Sequence, residues 1–138
     1  MTMIFDTKIA VVLRDDLPVW QKLNVTAFTV SGIAAKVEGV TGEPYEDGSG
    51  HRYLPMFKQP VLVFSADAGA IRRAYDRARE RNLVFSLFTE ELFATGNDID
   101  NRAAMKAVPT EELRIVGMAL RAEKKTVDKV LKGLSLHR

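Results

Sequence analysis

Cysteine is absent from the 138 residues, which rules out disulfides and thiolate metal sites and fits a reducing compartment. Histidine is nearly absent as well, and His51 and His137 lack the spacing of metal ligands, so neither a metal nor a cofactor is expected. No apolar run approaches the roughly 20 residues of a membrane span. The opening "MTMIFDTK" puts Asp6 where a signal peptide would be apolar. A soluble, cytoplasmic protein with no membrane contact is therefore the expectation. Glycine-rich dinucleotide loops, a Walker sequence and a GxSxG elbow are all missing, which removes the commonest nucleotide-binding and serine-hydrolase signatures. A net charge of +2 is too small to argue for nucleic acid by itself.

What is present is the patterning of an ordinary globular chain, 46% apolar and 28% charged, with a length that suits one domain over 1–138. "KIAVVL" (8–13) reads as a strand buried on both faces. From Trp20, the residues Leu23, Ala27, Val30, Ala34 and Val37 recur in alternating steps of three and four, which predicts a helix with that stripe inward and Asp16 or Pro18 at its start. "GVTGEPYEDGSG" reads as a mobile loop or hairpin tip leading to an edge strand around "HRYLPMF", because Pro55 cannot donate to a ladder. "PVLVFS" and "LVFSLF" read as two more buried strands. Between them "SADAGAIRRAYDRARERN" reads as a helix capped by Ser65 or Asp67. Residues 89–113 read as short helical pieces around a Gly-Asn-Asp loop. "RIVGMALRA" reads as the last strand and "EKKTVDKVLKGLSL" as a closing helix stopped near Gly133. Alternating strands and helices predict a three-layer α/β/α sandwich with a mixed, largely parallel sheet.

"KIAVVLRDDLPVWQKLNVTAF" with "GEPYEDGSGHRYLPMFKQP" resembles a bacterial family known as a domain of unknown function, DUF2000. That family is similar in fold to the second type of peptidyl-tRNA hydrolase, whose opening reads K-x-x-x-V-x-R-x-D-L; here Lys8, Val12, Arg14, Asp16 and Leu17 match it. The resemblance implies a peptidyl-tRNA hydrolase II-like scaffold and a homodimer. The catalytic pattern departs from it. Lys22 falls where the hydrolase has a loop lysine, but its helix Gln and His fall on Phe28 and Ser31, and its D-A-G-x-T segment is replaced by "LFTEELFATG". Phenylalanine cannot replace a hydrogen-bonding amide, and serine lacks the proton affinity of imidazole.

Arg14 and Asp16 follow the first strand, where open α/β sheets place ligands, so Arg14 and Lys22 together could hold a phosphate or carboxylate. The alternative is an ion pair that pins the turn. Asn24, Phe28 and Ser31 share one helical line and could wall a pocket, or Phe28 could serve the core or a subunit contact. Tyr45, Asp47 and His51 are lid candidates. "IRRAYDRARER" carries five arginines against two acids and the tail beyond Arg121 is also basic, but no aromatic interleaving accompanies them, so RNA binding is the less favoured reading. Two functions follow: a non-hydrolytic module binding a small anionic ligand or a partner, or a diverged peptidyl-tRNA hydrolase or related hydrolase using Lys8, Arg14, Asp16 and Lys22.

Overall fold

The computed structural model describes residues 5–138, so part of the leader-free reading, residues 1–4, lies outside it. In chain order come β1 (Thr7–Arg14), α1 (Val19–Lys36), β2 (Tyr45–Glu46), β3 (Arg52–Tyr53), β4 (Val61–Ala66) and α2 (Ala68–Glu80). Then follow β5 (Phe85–Thr89), a 3-10 segment (Glu90–Ala94), α3 (Asp98–Lys106), a 3-10 turn (Thr110–Glu112), β6 (Ile115–Glu123), α4 (Lys124–Val130) and β7 (Ser135–Leu136).

β1 is the axis of the molecule. Ile9, Ala10, Val11 and Val12 are each fully buried, and because strand side chains alternate, two cores form back to back. Ile9, Val11 and Leu13 meet Val25 and Ile33 of α1. Ala10 and Val12 meet Ile71, Ala74 and Tyr75 of α2 and Val127 and Val130 of α4. The result is the expected three layers, α1 on one face of the sheet and α2 with α4 on the other. Asp67 caps α2 through the Ala70 amide at 2.8 Å.

The sheet runs in the order β5-β6-β1-β4-β7. Here the largely parallel expectation is corrected: β1 and β4 are parallel, whereas β1·β6, β5·β6 and β4·β7 are antiparallel. A buried apolar run reads the same in either direction, and the chain between β5 and β6 returns to the end it left, with Glu90 N donating to Arg114 O at 3.0 Å. α3 is therefore an insertion at the end of the sheet, not a crossover helix. The closing helix is also shorter than expected, because Gly133 adopts φ of +90° and the last residues form the edge strand β7.

Only part of the stripe predicted to face inward on α1 does so: Val30 and Val37 pack against the core, but its other residues face outward. Trp20 and Leu23 are 62% and 67% exposed, and Ala27 and Ala34 are exposed too, while Val25, Thr29 and Ile33 are the buried positions. Two glycines explain how closely that inner face is seated. A β-carbon on Gly117 would overlap Val25 Cγ1, and one on Gly32 would lie 2.6 Å from Ser86 Oγ. Gly117 sits beside an irregularity in the β5·β6 ladder, where Phe88 faces Gly117 and Thr89 faces Ile115, leaving Val116 as the extra residue.

Gly117→Ala is expected to lower stability by about 1–3 kcal/mol, the usual cost of forcing an extra methyl into a packed contact. Denaturant unfolding measures it; an unchanged midpoint would show that α1 is not held against the strand in this way.

Candidate functional site

Arg14 ends β1 with its side chain 15% exposed, between two carboxylates: Nε donates to Asp16 Oδ1 and Nη1 to Glu90 Oε1, both at 2.6 Å. Arg114 reaches the other oxygen of Glu90 at 3.2 Å and Glu91 Oε1 at 3.2 Å. The chain Asp16, Arg14, Glu90, Arg114, Glu91 thus ties the end of β1 to both limbs of the β5–β6 connection. Burial works against the Arg14 charge, but the hydrogen bonds and charges of Asp16 and Glu90 outweigh it and raise its pKa above the ordinary value. A hollow of about 370 Å³ lies beside this network, with Arg72 on its wall. Arg72 donates to Thr110 O at 3.1 Å and stacks 5.0 Å from the Tyr75 ring centroid. All three arginines around the hollow are therefore engaged within the fold.

The remaining charged candidates lie elsewhere. Lys8 is at the opposite end of β1, roughly 20 Å away at about 3.3 Å per strand residue, and its ammonium holds Asp128 of α4 at 2.6 Å. Lys22 Nζ lies 3.1 Å from His137 Nε2, on the flank of α1 near β7. Lys8, Arg14 and Lys22 thus share no cleft among the described residues. The expectation that they act together is corrected, because β1 is long enough to carry its two ends apart and the turn after Arg14 faces the 3-10 segment instead of Lys22.

The lid candidates are corrected for a topological reason. A connection between parallel strands must return to the end where the first strand began. The β2–β3 hairpin lies on that return, so its base is at the Lys8 end of the sheet. Nor is the segment a loose loop: Asp47 accepts from the amides of Ser49 and His51 and from the Tyr53 hydroxyl at 2.9, 3.0 and 2.8 Å, which lowers its pKa. Tyr45 pairs with Tyr53 across the hairpin, and His51 is exposed at its turn.

Asn24 and Phe28 do reach a cleft. It is about 640 Å³, lies between α1, β5 and α3, and meets a second lobe of about 420 Å³ that takes in Asn24 and the Thr95–Asn97 loop. Phe28, Phe88 and Leu92 line both lobes, and Met105 adds a sulfur-bearing wall to the larger one. The Phe28 and Phe88 rings meet edge to face at 5.9 Å. Polar groups ring this apolar floor. The Thr95 hydroxyl contacts both Leu92 O and the Asn101 side-chain amide, which holds Asn101 at the rim where the two lobes meet. Arg102 pairs with Asp98 at 2.8 Å, while Lys106 has no ion-pair partner among the described residues. Ser31, the third member of the predicted line, is outside the cleft and donates to its own helix at Phe28 O, 2.5 Å away. Asn101, Met105 and Lys106 were missed because residues 89–113 have short, weakly patterned helices and no motif; their steps of four and one along α3 were the only signal.

Fold and site define an α/β/α protein with an open, half-apolar cleft between its first helix and a helical insertion. Residues 7–138 match the family described as protein of unknown function (DUF2000), and the chain belongs to it. It is similar to the solved structure of Atu0240, a protein of unknown function from Agrobacterium tumefaciens strain C58, with 52% identity and a TM-score of 0.95. The match covers 98% of this chain and 100% of that one. No curated protein shows significant similarity. Among the described residues no helix is long and apolar enough to cross a membrane.

Two expectations follow for the charged network. Arg14→Ala should cost about 1.5–3 kcal/mol, the range for hydrogen bonds to charged groups, with Arg14→Lys recovering only part because an ammonium cannot match the fork of a guanidinium. Thermal and denaturant unfolding of the pair check this; a wild-type midpoint for Arg14→Ala would remove the clamp.

The second concerns acid. Burial pushes the Glu91 carboxyl up, but hydrogen bonding and the Arg114 charge outweigh it and hold its pKa below the ordinary 4.5. A depressed folded pKa contributes stability that is complete above the unfolded value and is lost as pH falls through the folded one. Arg114→Ala should therefore cost stability at pH 7 and flatten the decline below about pH 4.5. Parallel slopes for wild type and variant in acid would contradict it.

Proposed function

We propose that the protein is a non-hydrolytic binding module on a scaffold related to the second type of peptidyl-tRNA hydrolase, and that it takes a small anionic ligand with an apolar body in the α1–β5–α3 cleft. The observation that carries this is the composition of the cleft: an aromatic and aliphatic floor, an Asn101 side-chain amide at the rim, and a Lys106 ammonium with no ion-pair partner among the described residues. Its volume of about 640 Å³ falls in the range of small-molecule pockets. Phe28 and Leu92 would bury the ligand's body, Asn24 and Asn101 would orient it, and Lys106 with the free face of Arg102 would meet its negative end.

The hydrolase reading has less support. A hydrolytic site needs a base within reach of water. The acids nearest the expected position, Glu90 and Glu91, are held by Arg14 and Arg114, and Asp98 is held by Arg102. Neither His51 nor His137 lines the cleft.

The test is a thermal-shift screen of carboxylates and phosphates with aromatic or aliphatic bodies, since a ligand at a hundredfold its Kd adds about 2.7 kcal/mol to folded-state stability. The hit should be lost in Phe28→Ala and Lys106→Ala and kept in Arg14→Lys. A hit unaffected by both cleft variants, or release of peptide from peptidyl-tRNA above background, would overturn the reading.

A further inference from the structure

The five-stranded sheet has two edges, and they are guarded unequally. β7 closes one of them with two residues, too short to template a further strand. β5 forms the other with five residues, Phe-Ser-Leu-Phe-Thr, that include no charge and no proline. Val84, directly before it, is 89% exposed. An uncharged apolar edge of this kind is what natural sheets ordinarily avoid. Alternate residues of a strand turn their N–H and C=O groups to the same side, so one set in β5 meets β6 and the other points outward. Among the described residues no other strand and no loop backbone pairs with the outward set between Phe85 and Phe88.

The α1–β5–α3 cleft lies along this edge. Ser86, Leu87 and Phe88 line it in succession. Neighbouring strand residues point to opposite faces, and here Leu87 packs against the core under α2 and α4 while Phe88 belongs to the core under α1. A cavity that touches all three runs beside the backbone instead of over one face of the sheet. Its two ends differ. Met105 and Lys106 line the lobe that reaches Ser86 and Leu87, whereas the Thr95–Asn97 loop lines the lobe that takes in Phe88 alone of β5.

We propose that the ligand of this cleft is the C-terminal segment of an extended peptide, which adds to the edge of β5 as a further strand of the sheet. The inference rests on the cleft being the ligand site and names the class of ligand it takes. Main-chain pairing with the outward groups of β5 supplies affinity, and apolar side chains near the peptide's end meet Phe28 and Phe88. The terminal carboxylate meets Lys106 and the face of Arg102 that Asp98 leaves open. Because Lys106 stands toward the Ser86 end, where β5 begins, the peptide ends where β5 starts and runs antiparallel to it. That direction continues the antiparallel pairing of β5 with β6. The open edge is what selects a peptide over other apolar anions, since a fatty or aromatic acid has no ladder of donors and acceptors to match it.

Calorimetric titration of the wild-type protein with acetyl-Ala-Leu-Val-Leu, carrying a free carboxylate, tests this. Peptides N-methylated at one amide at a time should lose affinity alternately, about tenfold where the amide faces β5 and little where it faces away, the weight of one backbone hydrogen bond. The carboxamide form should bind about fivefold more weakly than the free acid, the weight of one exposed charge pair, and Lys106→Ala should erase that difference. Phenylbutyrate, an apolar acid without a peptide backbone, separates the two readings. If phenylbutyrate binds through Phe28 and Lys106 while the peptide binds no more tightly, or shows no alternation, strand addition is overturned and the cleft remains the ligand site. If the peptide binds with alternation but is indifferent to Phe28→Ala and Lys106→Ala, it adds to some other edge and the proposal for this cleft is overturned. Failure of both probes to bind at millimolar concentration overturns strand addition and the cleft reading together.

Discussion

Everything in this molecule depends on how closely α1 lies against the sheet. The helix is seated where Gly117 and Gly32 leave no β-carbon in the way, and Val25 drops into the space above Gly117. That contact fixes the rotation of the helix about its own axis. Once Val25, Thr29 and Ile33 face the sheet, Asn24 and Phe28 must face the α3 insertion, and Trp20 must lie on the flank where its ring meets Phe93 at 6.3 Å. Core and cleft are therefore two consequences of one packing decision, set by the 3.6-residue helical repeat.

The charged residues divide differently from the apolar ones. Those after β1 attracted attention because the carboxyl edge of a parallel sheet is a common ligand position. In this fold that edge is occupied by the protein itself. The connection from β5 to β6 folds back over it and supplies Glu90 and Glu91, which Arg14 and Arg114 hold in alternation. A partly buried guanidinium with two carboxylate partners is a joint between elements, and the insertion it anchors is the one that brings Asn101, Met105 and Lys106 over β5. The network thus positions one wall of the cleft without entering it.

Much of the architecture was legible in the residues. β1, β4 and α2 announce themselves through a continuous aliphatic run, another bounded by Pro60 and an aspartate-capped amphipathic helix, and each lies within three residues of its expected bounds. The direction of the strands was not legible, since burial on both faces erases the alternation that marks an antiparallel pair. The face of α1 was misread in part, since Val30 and Val37 do meet the core but the rest of the stripe does not. Its outward stripe is more regular than its inward one, which includes a threonine bonded back to Val25 O at 2.8 Å, and regularity was taken for burial. Of the expected site, Asn24 and Phe28 reached a cleft because helical spacing is local information. Lys8, Lys22 and the hairpin residues did not, because the distance between them is set by strand length and by the handed return of the crossover, which no short stretch contains.

The central claim is that ligand recognition belongs to the α1–β5–α3 cleft and structural restraint to the arginine network. Amide chemical-shift mapping during titration with the strongest stabilising carboxylate or phosphate tests it most directly. The account predicts that the shifts cluster on Asn24, Phe28, Phe88, Asn101 and Met105 and leave Arg14, Arg72 and Lys8 unmoved. Shifts centred on Arg14, Arg72 and Arg114, with the cleft silent, would contradict it.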